Sequence, residues 1–148
     1  MKQIEVEIQK VNPNAHIPRY MTEGSVGLDV CACIDTQIVL KPNEVKSIST
    51  GLVVGIPDGY EIQVRSRSGL SLKNITVHNS PGTIDTDFIG EIKVILKNSS
   101  IDDFIVNNGD RIAQLVLNEV PKISFKEVNK LTKTTERGEF GFGSTGIN

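Results

Sequence analysis

The sequence predicts an all-β protein, a distorted jelly roll or β-sandwich. Apolar and polar residues alternate with period two in several separate runs, which is the pattern of strands that bury one face. Clusters of proline, glycine and asparagine separate these runs and mark turns. No stretch keeps helical periodicity over three turns. Many short strands at close spacing are typical of a sandwich, a jelly roll or a barrel.

The alternating apolar residues locate the predicted strands. Their apolar phases are, in chain order, Ile4, Val6 and Ile8; Val26, Leu28, Val30, Ala32 and Ile34; Tyr60, Ile62 and Val64; and Ile92, Val94 and Leu96. Predicted turns occupy residues 41–43, 57–59, 81–82 and 107–109, and a further apolar strand follows the last of them. One short helical turn is predicted at residues 70–73.

Length and composition exclude several classes of protein. With 148 residues, the chain is long enough for one domain with a buried core. A net charge of -2 disfavours a nucleic-acid-binding protein, which would carry a basic face. No run approaches the roughly 20 apolar residues of a membrane span, and the first residues are too charged for a signal peptide. We therefore expect a cytoplasmic protein whose partners include neither nucleic acid nor membrane.

The only two cysteines are Cys31 and Cys33. In a strand, residues i and i+2 lie too far apart to form a disulfide easily. Two cysteines alone also lack the partners of a zinc site. We interpret both as ordinary strand residues of a reducing compartment.

The C-terminal segment is predicted to be an arm outside the core. Residues 134–148 form a mobile, glycine-rich arm in this interpretation, and residues 1–133 form the core of the single domain 1–148. Within residues 137–146, one arginine and two phenylalanines lie among four glycines. A guanidinium, flat rings and backbone amides that allow close approach suit a segment that closes over a nucleotide. A frayed terminus is the alternative.

Polar residues interrupt the apolar pattern at three places. Arg67-Ser68-Gly69 follows a predicted strand and offers a guanidinium, a hydroxyl and an unobstructed amide, all of which bind phosphate. Gln114 lies in an apolar strand, which costs stability unless its amide is hydrogen-bonded. It is either a core glutamine with internal partners or a ligand-binding residue. Asp29 lies on the polar phase of its strand and is either solvated or functional.

Residues 78–91 are predicted to form a hairpin that carries binding chemistry. Backbone groups at a hairpin mouth can pair with the edge of a base, and the Asn79 amide offers both a donor and an acceptor. Asp85 follows Ile84, where its carboxylate could be partly shielded and act as a general base. The alternative is that Asp85 and Asp87 are turn formers.

Five blocks, taken in order, closely resemble the motifs of the trimeric dUTPase family, the dUTP diphosphatases. They are residues 26–29, 67–70, 82–91, 109–114 and 137–146, and the resemblance extends over nearly the whole chain. It implies a jelly-roll homotrimer with three active sites at subunit interfaces, closed by C-terminal arms. It also implies Mg²⁺-assisted hydrolysis of dUTP to dUMP and diphosphate, which lowers dUTP and supplies dUMP for thymidylate synthesis.

The resemblance assigns roles to individual residues. Asp85 would be the catalytic base that activates water for attack on the α-phosphorus, and Asp29 would meet the metal through water. Phosphates would be held by Arg67, Ser68, Gly69 and Gln114, with Arg137 on the γ-phosphate. Uracil would be read by Asn79 with Thr83, Ile84 and Lys93. The remaining substrate contacts would come from Asp85 itself, Phe88 under the deoxyribose, Phe142 stacked on uracil, and Gly143 and Ser144.

Phe88 stands where the family usually has tyrosine. The ring remains, but the hydrogen bond of a phenol is lost. We therefore predict weaker discrimination against UTP, or a KM raised by up to about tenfold.

Two alternative functions remain open. A dCTP deaminase of the same superfamily would carry a catalytic glutamate where this chain has Ile95, and it would lack the C-terminal arm. A non-catalytic nucleotide-binding trimer would be favoured by loss of Asp85 or Arg137, and both are present.

Overall fold

Antiparallel strands make up nearly all of the regular structure. The computed structural model describes residues 2–147, so Met1 and Asn148, the ends of the predicted domain, lie outside the described residues. The elements are β1 Glu7–Lys10, β2 Leu28–Cys31, β3 Ile38–Leu40, β4 Val45–Ser49, β5 Leu52–Gly55, β6 Tyr60–Arg65, α1 Ser68–Ser71, β7 Ile75–Val77, β8 Gly82–Ile84, β9 Lys93–Asn98, β10 Phe104–Val106 and β11 Arg111–Glu119. The all-β prediction is confirmed.

The element α1 is a single helical turn that begins slightly earlier than predicted. The N–H groups of Ser71 and Leu72 donate to the carbonyls of Arg67 and Ser68 at 2.9 and 3.1 Å. The Ser71 hydroxyl also donates to the Arg67 carbonyl at 2.9 Å. Such a turn reverses the chain between β6 and β7 and leaves Arg67 at its start.

One four-stranded sheet carries most of the predicted site residues. Its order is β2-β11-β6-β8, and its neighbours are antiparallel. Gln114 of β11 pairs with Asp29 of β2 on one side and with Arg65 of β6 on the other. Strand β8 forms the edge of this sheet and pairs with β6 in the register Val64 with Gly82. The prediction of a hairpin over residues 78–91 is therefore wrong, since β8 pairs with neither β7 nor β9. Residues from distant blocks of the sequence therefore lie side by side.

Three smaller sheets, β1-β5, β10-β3 and β4-β9-β7, pack with the first around one core. The alternation predicted for β6 and β9 holds, since Ile62, Val64, Val94 and Leu96 are buried. Fully burying an isoleucine or leucine contributes roughly 1.5–3 kcal/mol. Asn98 is the exception among these inward positions. Its amide nitrogen donates to the Leu40 carbonyl at 2.9 Å, which offsets the cost of burying it.

The chain leaves this core after β11. The Val120 N–H donates to the Gly59 carbonyl at 2.8 Å, and residues 121–147 are then exposed apart from half-buried Gly141. The exposed side chains include Phe125 at 90% and Phe142 at 112%. The predicted division at 133 and 134 stays a prediction.

Within residues 2–147, no helix is long and apolar enough to cross a membrane.

Candidate active site

A cavity of about 350 Å³ opens beside the loop that joins β8 to β9. We call it the hairpin cavity. Six of the predicted substrate-binding residues line it, namely Asn79, Thr83, Ile84, Asp85, Phe88 and Lys93. The other lining residues are Ser47, Val64, Gly82, Glu91, Ile92 and Ile95. The volume falls within the range of small-molecule sites, which are mostly apolar with a few polar groups at fixed positions.

The wall of the hairpin cavity is the edge strand β8. Because β8 pairs only with β6 in its sheet, the other edge of its backbone is left to bind a ligand. Gly82 allows the Asn79 side chain to approach this strand, since a β-carbon at Gly82 would lie 3.2 Å from Asn79 Nδ2. Ile84 points into the core and is 6% exposed. Backbone donors and acceptors and one amide therefore converge on one wall.

Asp85 lies where β8 ends. The Phe88 N–H donates to the Asp85 carbonyl at 3.2 Å and closes a turn over residues 85–88. The Asp85 side chain is exposed in the single chain. Partial shielding of its carboxylate, which the sequence predicts, would thus have to come from substrate, the arm or a second copy of the chain. That shielding stays a prediction.

A smaller cavity of about 250 Å³ lies at the other end of the sheet. We call it the arginine cavity. It is lined by Met21, Ser25, Val26, Gly27, Asp29, Arg67 and Gln114. The hairpin cavity and the arginine cavity share no lining residue.

Asp29 organises the charges of the arginine cavity. It is 9% exposed, so the solvated alternative is wrong. Its Oδ1 accepts from Arg67 Nε at 3.2 Å and its Oδ2 from Arg111 Nη1 at 3.4 Å. Arg67 Nη1 also donates to the Arg111 carbonyl at 3.1 Å. The carboxylate and the carbonyl fix one side of the Arg67 guanidinium, and its remaining N–H groups can bind an anion.

Gln114 reaches the arginine cavity because Gly27 lies beside it. A β-carbon at Gly27 would lie 2.8 Å from Gln114 Oε1 and 3.0 Å from Gln114 Cβ, closer than carbon atoms pack. Gln114 is half-buried and lines the cavity together with Arg67. Its position favours the ligand-binding interpretation over that of a core glutamine.

The donor set fits magnesium held mainly by a substrate. Among residues 2–147, no group of three or more histidine, cysteine or carboxylate side chains could hold a metal ion by itself. Mg²⁺ usually takes one or two carboxylates together with phosphates and waters. A carboxylate has about four acceptor positions, so Asp29 can accept from a metal-bound water while it contacts both arginines.

Comparison with known proteins decides the family. The dUTPase family model matches residues 13–146. The chain belongs to the dUTPase family. A Helicobacter pylori (strain J99) deoxyuridine 5'-triphosphate nucleotidohydrolase is 50% identical over 145 residues, covering 97% of this chain and 98% of that protein. The Fusobacterium nucleatum enzyme of the same name is 49% identical and covers 99% of each.

Solved dUTPase structures share the fold. Two structures of Staphylococcus bacteriophage 80alpha dUTPase with dUpNHpp, one of them a single-residue variant, have TM-scores of 0.89 and 0.88. Each is 26% identical and covers 98% of this chain and 100% of that protein. The similarity confirms the jelly-roll architecture predicted from the dUTPase motifs.

Not every residue of the dUTPase motifs reaches a cavity. Ser68 and Gly69 lie on α1 and are exposed, next to Arg67 but not lining the arginine cavity. The arm residues Arg137, Phe142, Gly143 and Ser144 line neither cavity. Arg137 Nε donates instead to the Phe140 carbonyl at 2.7 Å. The substrate contacts predicted for these six residues stay predictions.

Sequence reasoning missed one member of the site. The sequence alone assigned no role to Arg111, yet this residue contacts Asp29 and offers its carbonyl to Arg67. Asp29 and Arg111 are 82 residues apart in the chain. Asp29 lies in the first and Arg111 in the fourth of the blocks that resemble dUTPase motifs. This was the signal in the sequence that could have brought the two residues together.

The two cysteines are free thiols. Burial raises the pKa of Cys31, and the nearby Arg111 guanidinium partly opposes this rise. Burial also raises the pKa of Cys33, with the carboxylates of Glu91 and Asp35 acting in the same direction. Both thiols are therefore protonated at neutral pH and poor nucleophiles.

Proposed function

We propose that this chain hydrolyses dUTP to dUMP and diphosphate. The observation that carries the proposal is that Asp85 lies on the rim of a base-sized cavity shared with Asn79 and Phe88. Its relatives named as deoxyuridine 5'-triphosphate nucleotidohydrolases, at 50% and 49% identity, support the same substrate. The reaction would lower dUTP and supply dUMP for thymidylate synthesis, in the cytoplasm.

Uracil would be read by the wall of the hairpin cavity. The free edge of β8 offers backbone N–H and C=O groups at Thr83 and Ile84, and Asn79 adds an amide. A polar wall built for one base rejects another by roughly 10⁴ or more, because mismatched buried groups are left unpaired. Close backbone at this wall would exclude the thymine methyl group. Lys93, at the start of β9, is exposed at the same cavity.

The phosphates would bind at the arginine cavity. Arg67 is held by Asp29 and by the Arg111 carbonyl, so its guanidinium is oriented before substrate arrives. Pre-oriented donors stabilise the charge that develops on the leaving group in phosphoryl transfer. Gln114 adds an amide, and Ser68 and Gly69 add a hydroxyl and a backbone N–H beside Arg67.

A complete site would need more than one copy of the chain. The two cavities share no lining residue, and the arm contacts neither, although a single dUTP must meet base-reading and phosphate-binding groups together. We propose a homotrimer in which one subunit supplies the hairpin cavity, another supplies Arg67 and Gln114, and an arm brings Arg137 and Phe142. A monomer in sedimentation equilibrium that hydrolyses dUTP at full rate would contradict this arrangement.

Asp85 would act as the general base. As its carboxylate takes a proton from water, the water oxygen bonds to the α-phosphorus and the bond to the α–β bridging oxygen breaks. Diphosphate leaves and the proton passes to solvent. Such a base contributes roughly 10²–10⁴ in rate. Mg²⁺ on the triphosphate would neutralise charge, with Asp29 as the acceptor of a metal-bound water.

The test compares two neighbouring aspartates. Asp85 lines the hairpin cavity, whereas Asp87 lines only an adjacent depression with Asp58 and Glu61. Asp85→Asn should lower kcat for diphosphate release by at least about 10²-fold, while Asp87→Asn should stay within about twofold of the parent. Full activity in Asp85→Asn would refute the assignment of the base.

The same assay separates the alternative reaction. A panel of dUTP, dTTP, dCTP and UTP with magnesium should release diphosphate from dUTP far faster than from the other three. Release of ammonia from dCTP would instead indicate a deaminase. Ile95, an apolar residue, lines the hairpin cavity where that reaction would need a carboxylate.

A further inference from the structure

We propose that Gly90 is a positioning residue that holds the Phe88 ring in the hairpin cavity and so sets the preference for deoxyribose over ribose. The inference rests on the proposed hydrolysis of dUTP and adds to it a determinant of sugar selection. It assigns a function to the second residue after Phe88, within the block of residues 82–91 that resembles a dUTPase motif.

The Phe88 ring lies directly on the backbone of Gly90. A β-carbon at Gly90 would be 2.8 Å from Phe88 Cζ and 3.0 Å from Cε2. Carbon atoms pack at about 3.5–4.0 Å, so the ring occupies the place that any other side chain at position 90 would need. Phe88 is 45% exposed, so few other groups hold the ring in place.

Backbone conformation does not require glycine at position 90. The glycines with positive φ in the described chain are Gly51, Gly59, Gly109, Gly138, Gly143 and Gly146. Gly90 is not one of them, so alanine can adopt its backbone angles without strain. Contact with the ring is therefore the constraint at this position.

The chain directly after Gly90 is anchored by three hydrogen bonds, two of them to the backbone of Ile92. The Glu91 carboxylate accepts from the Gly51 N–H at 3.1 Å. The Ile92 N–H donates to the Leu52 carbonyl at 2.8 Å, and the Thr50 hydroxyl donates to the Ile92 carbonyl at 2.6 Å. An added methyl group at position 90 must therefore displace the Phe88 ring.

Displacement of the ring should leave the catalytic carboxylate in place. Asp85 is tied to Phe88 through the backbone bond from the Phe88 N–H to the Asp85 carbonyl, not through the ring. Loss of ring position should thus change how the sugar binds and not how water is activated. The expected signature is a change in KM and in sugar preference at nearly constant kcat.

A double-mutant cycle tests the inference. The proteins are the parent, Gly90→Ala, Phe88→Ala and the double variant, assayed for kcat and KM with dUTP and with UTP. Gly55→Ala is the matched control, since its added carbon would lie 3.5 Å from Glu7 Cβ, an ordinary contact, and its φ is not positive. Melting temperatures of all five report on folding.

Gly90→Ala should raise KM for dUTP and lower the dUTP-to-UTP preference by about three- to tenfold. Its kcat should stay within about twofold, and Gly55→Ala should match the parent. In the Phe88→Ala background the added methyl should have no further effect. An equal effect in both backgrounds, or an unchanged sugar preference, would overturn the inference while leaving dUTP hydrolysis intact. A parent that does not cleave dUTP would refute the proposed function and this inference with it.

Discussion

The hairpin cavity and the arginine cavity differ in which parts of the chain line them and in the groups that they present. The first is built from one contiguous stretch, residues 79–95, together with β6 and β4, and it presents backbone groups along the free edge of β8. The second is built from the loop before β2, from β2 and β11, and from Arg67, which lies two residues after β6, and it presents charge. In the proposed function, a base would be bound by shape and backbone, and a phosphate by a guanidinium whose orientation depends on long-range contacts.

That difference predicts which parts of the site depend on each other. Arg67 is held by Asp29, 38 residues away, and by the carbonyl of Arg111, 44 residues away. The loop after β8, in contrast, is held by a local turn bond between Asp85 and Phe88. Damage to one cavity should therefore leave binding at the other nearly unchanged.

Among the changes that compare the two cavities, Asp29→Ala has the largest expected effect. Removing the buried partner leaves Arg67 and Arg111 uncompensated and Arg67 unanchored. Because the side chains of Arg67 and Arg111 are 25% and 46% exposed, water compensates part of the lost pairing, and we expect about a tenfold rise in KM for dUTP. Binding of deoxyuridine, which has no phosphate, should be unchanged. Steady-state kinetics and calorimetric titration measure the two quantities.

The control for Asp29→Ala is Asp103→Ala, since Asp103 is exposed and lines neither cavity. Equal loss of deoxyuridine binding would show that the two cavities are not independent. If the Mg²⁺ concentration for half-maximal rate rises more than KM for dUTP, the contact of Asp29 with the metal is its main contribution. Melting temperatures separate both results from unfolding.

A smaller effect is expected from Phe88→Tyr, which acts only on the hairpin cavity. A tyrosine at position 88 should improve discrimination between dUTP and UTP by up to about tenfold, because its hydroxyl can donate a hydrogen bond. The ratio of kcat/KM for the two nucleotides measures it. Unchanged kinetics with both nucleotides would contradict the predicted cost of phenylalanine at this position.

The smallest effect concerns the thiols, which report on the two regions separately. Burial raises the pKa of Cys31 and of Cys33, so both should react slowly with a thiol reagent in the folded protein at neutral pH. Cys31 is half-buried and lies near Arg111, whereas Cys33 is 5% exposed and lies near Glu91. Cys31 should therefore react first, and Arg111→Gln should slow Cys31 alone.

The raised pKa values of these thiols also predict how the stability of the folded state depends on pH. A raised pKa means that the folded state disfavours the thiolate, so stability is unaffected while both states are protonated. It should fall only above the ordinary thiol pKa, in the alkaline range, and by little because Cys31 is half-buried. Mass spectrometry of peptides modified by the thiol reagent shows which cysteine reacts first. Modification of Cys33 before Cys31 would show that the packing around β2 differs from that described.

The sequence predicted what is local and missed what depends on register. The alternation at Ile62 and Val64 could be predicted, since strand periodicity acts over a few positions. The hairpin predicted over residues 78–91 does not form, because β8 pairs with the distant β6 and not with β7 or β9. The contact between Asp29 and Arg111 could not, because it depends on how β2 pairs with β11. Alternation suggested a polar phase for Asp29 but could not show that two arginines bury its carboxylate.

The free edge of β8, which we propose binds a base, is also a hazard, since an unpaired edge can template pairing with another chain and lead to aggregation. Here the strand is three residues long, Gly82–Ile84, and Pro81 before it has no N–H to donate. A partner strand finds too few groups to pair with, whereas a planar ring with two or three polar atoms finds enough. The shortness of β8 thus protects solubility at the position where the protein must keep its backbone open.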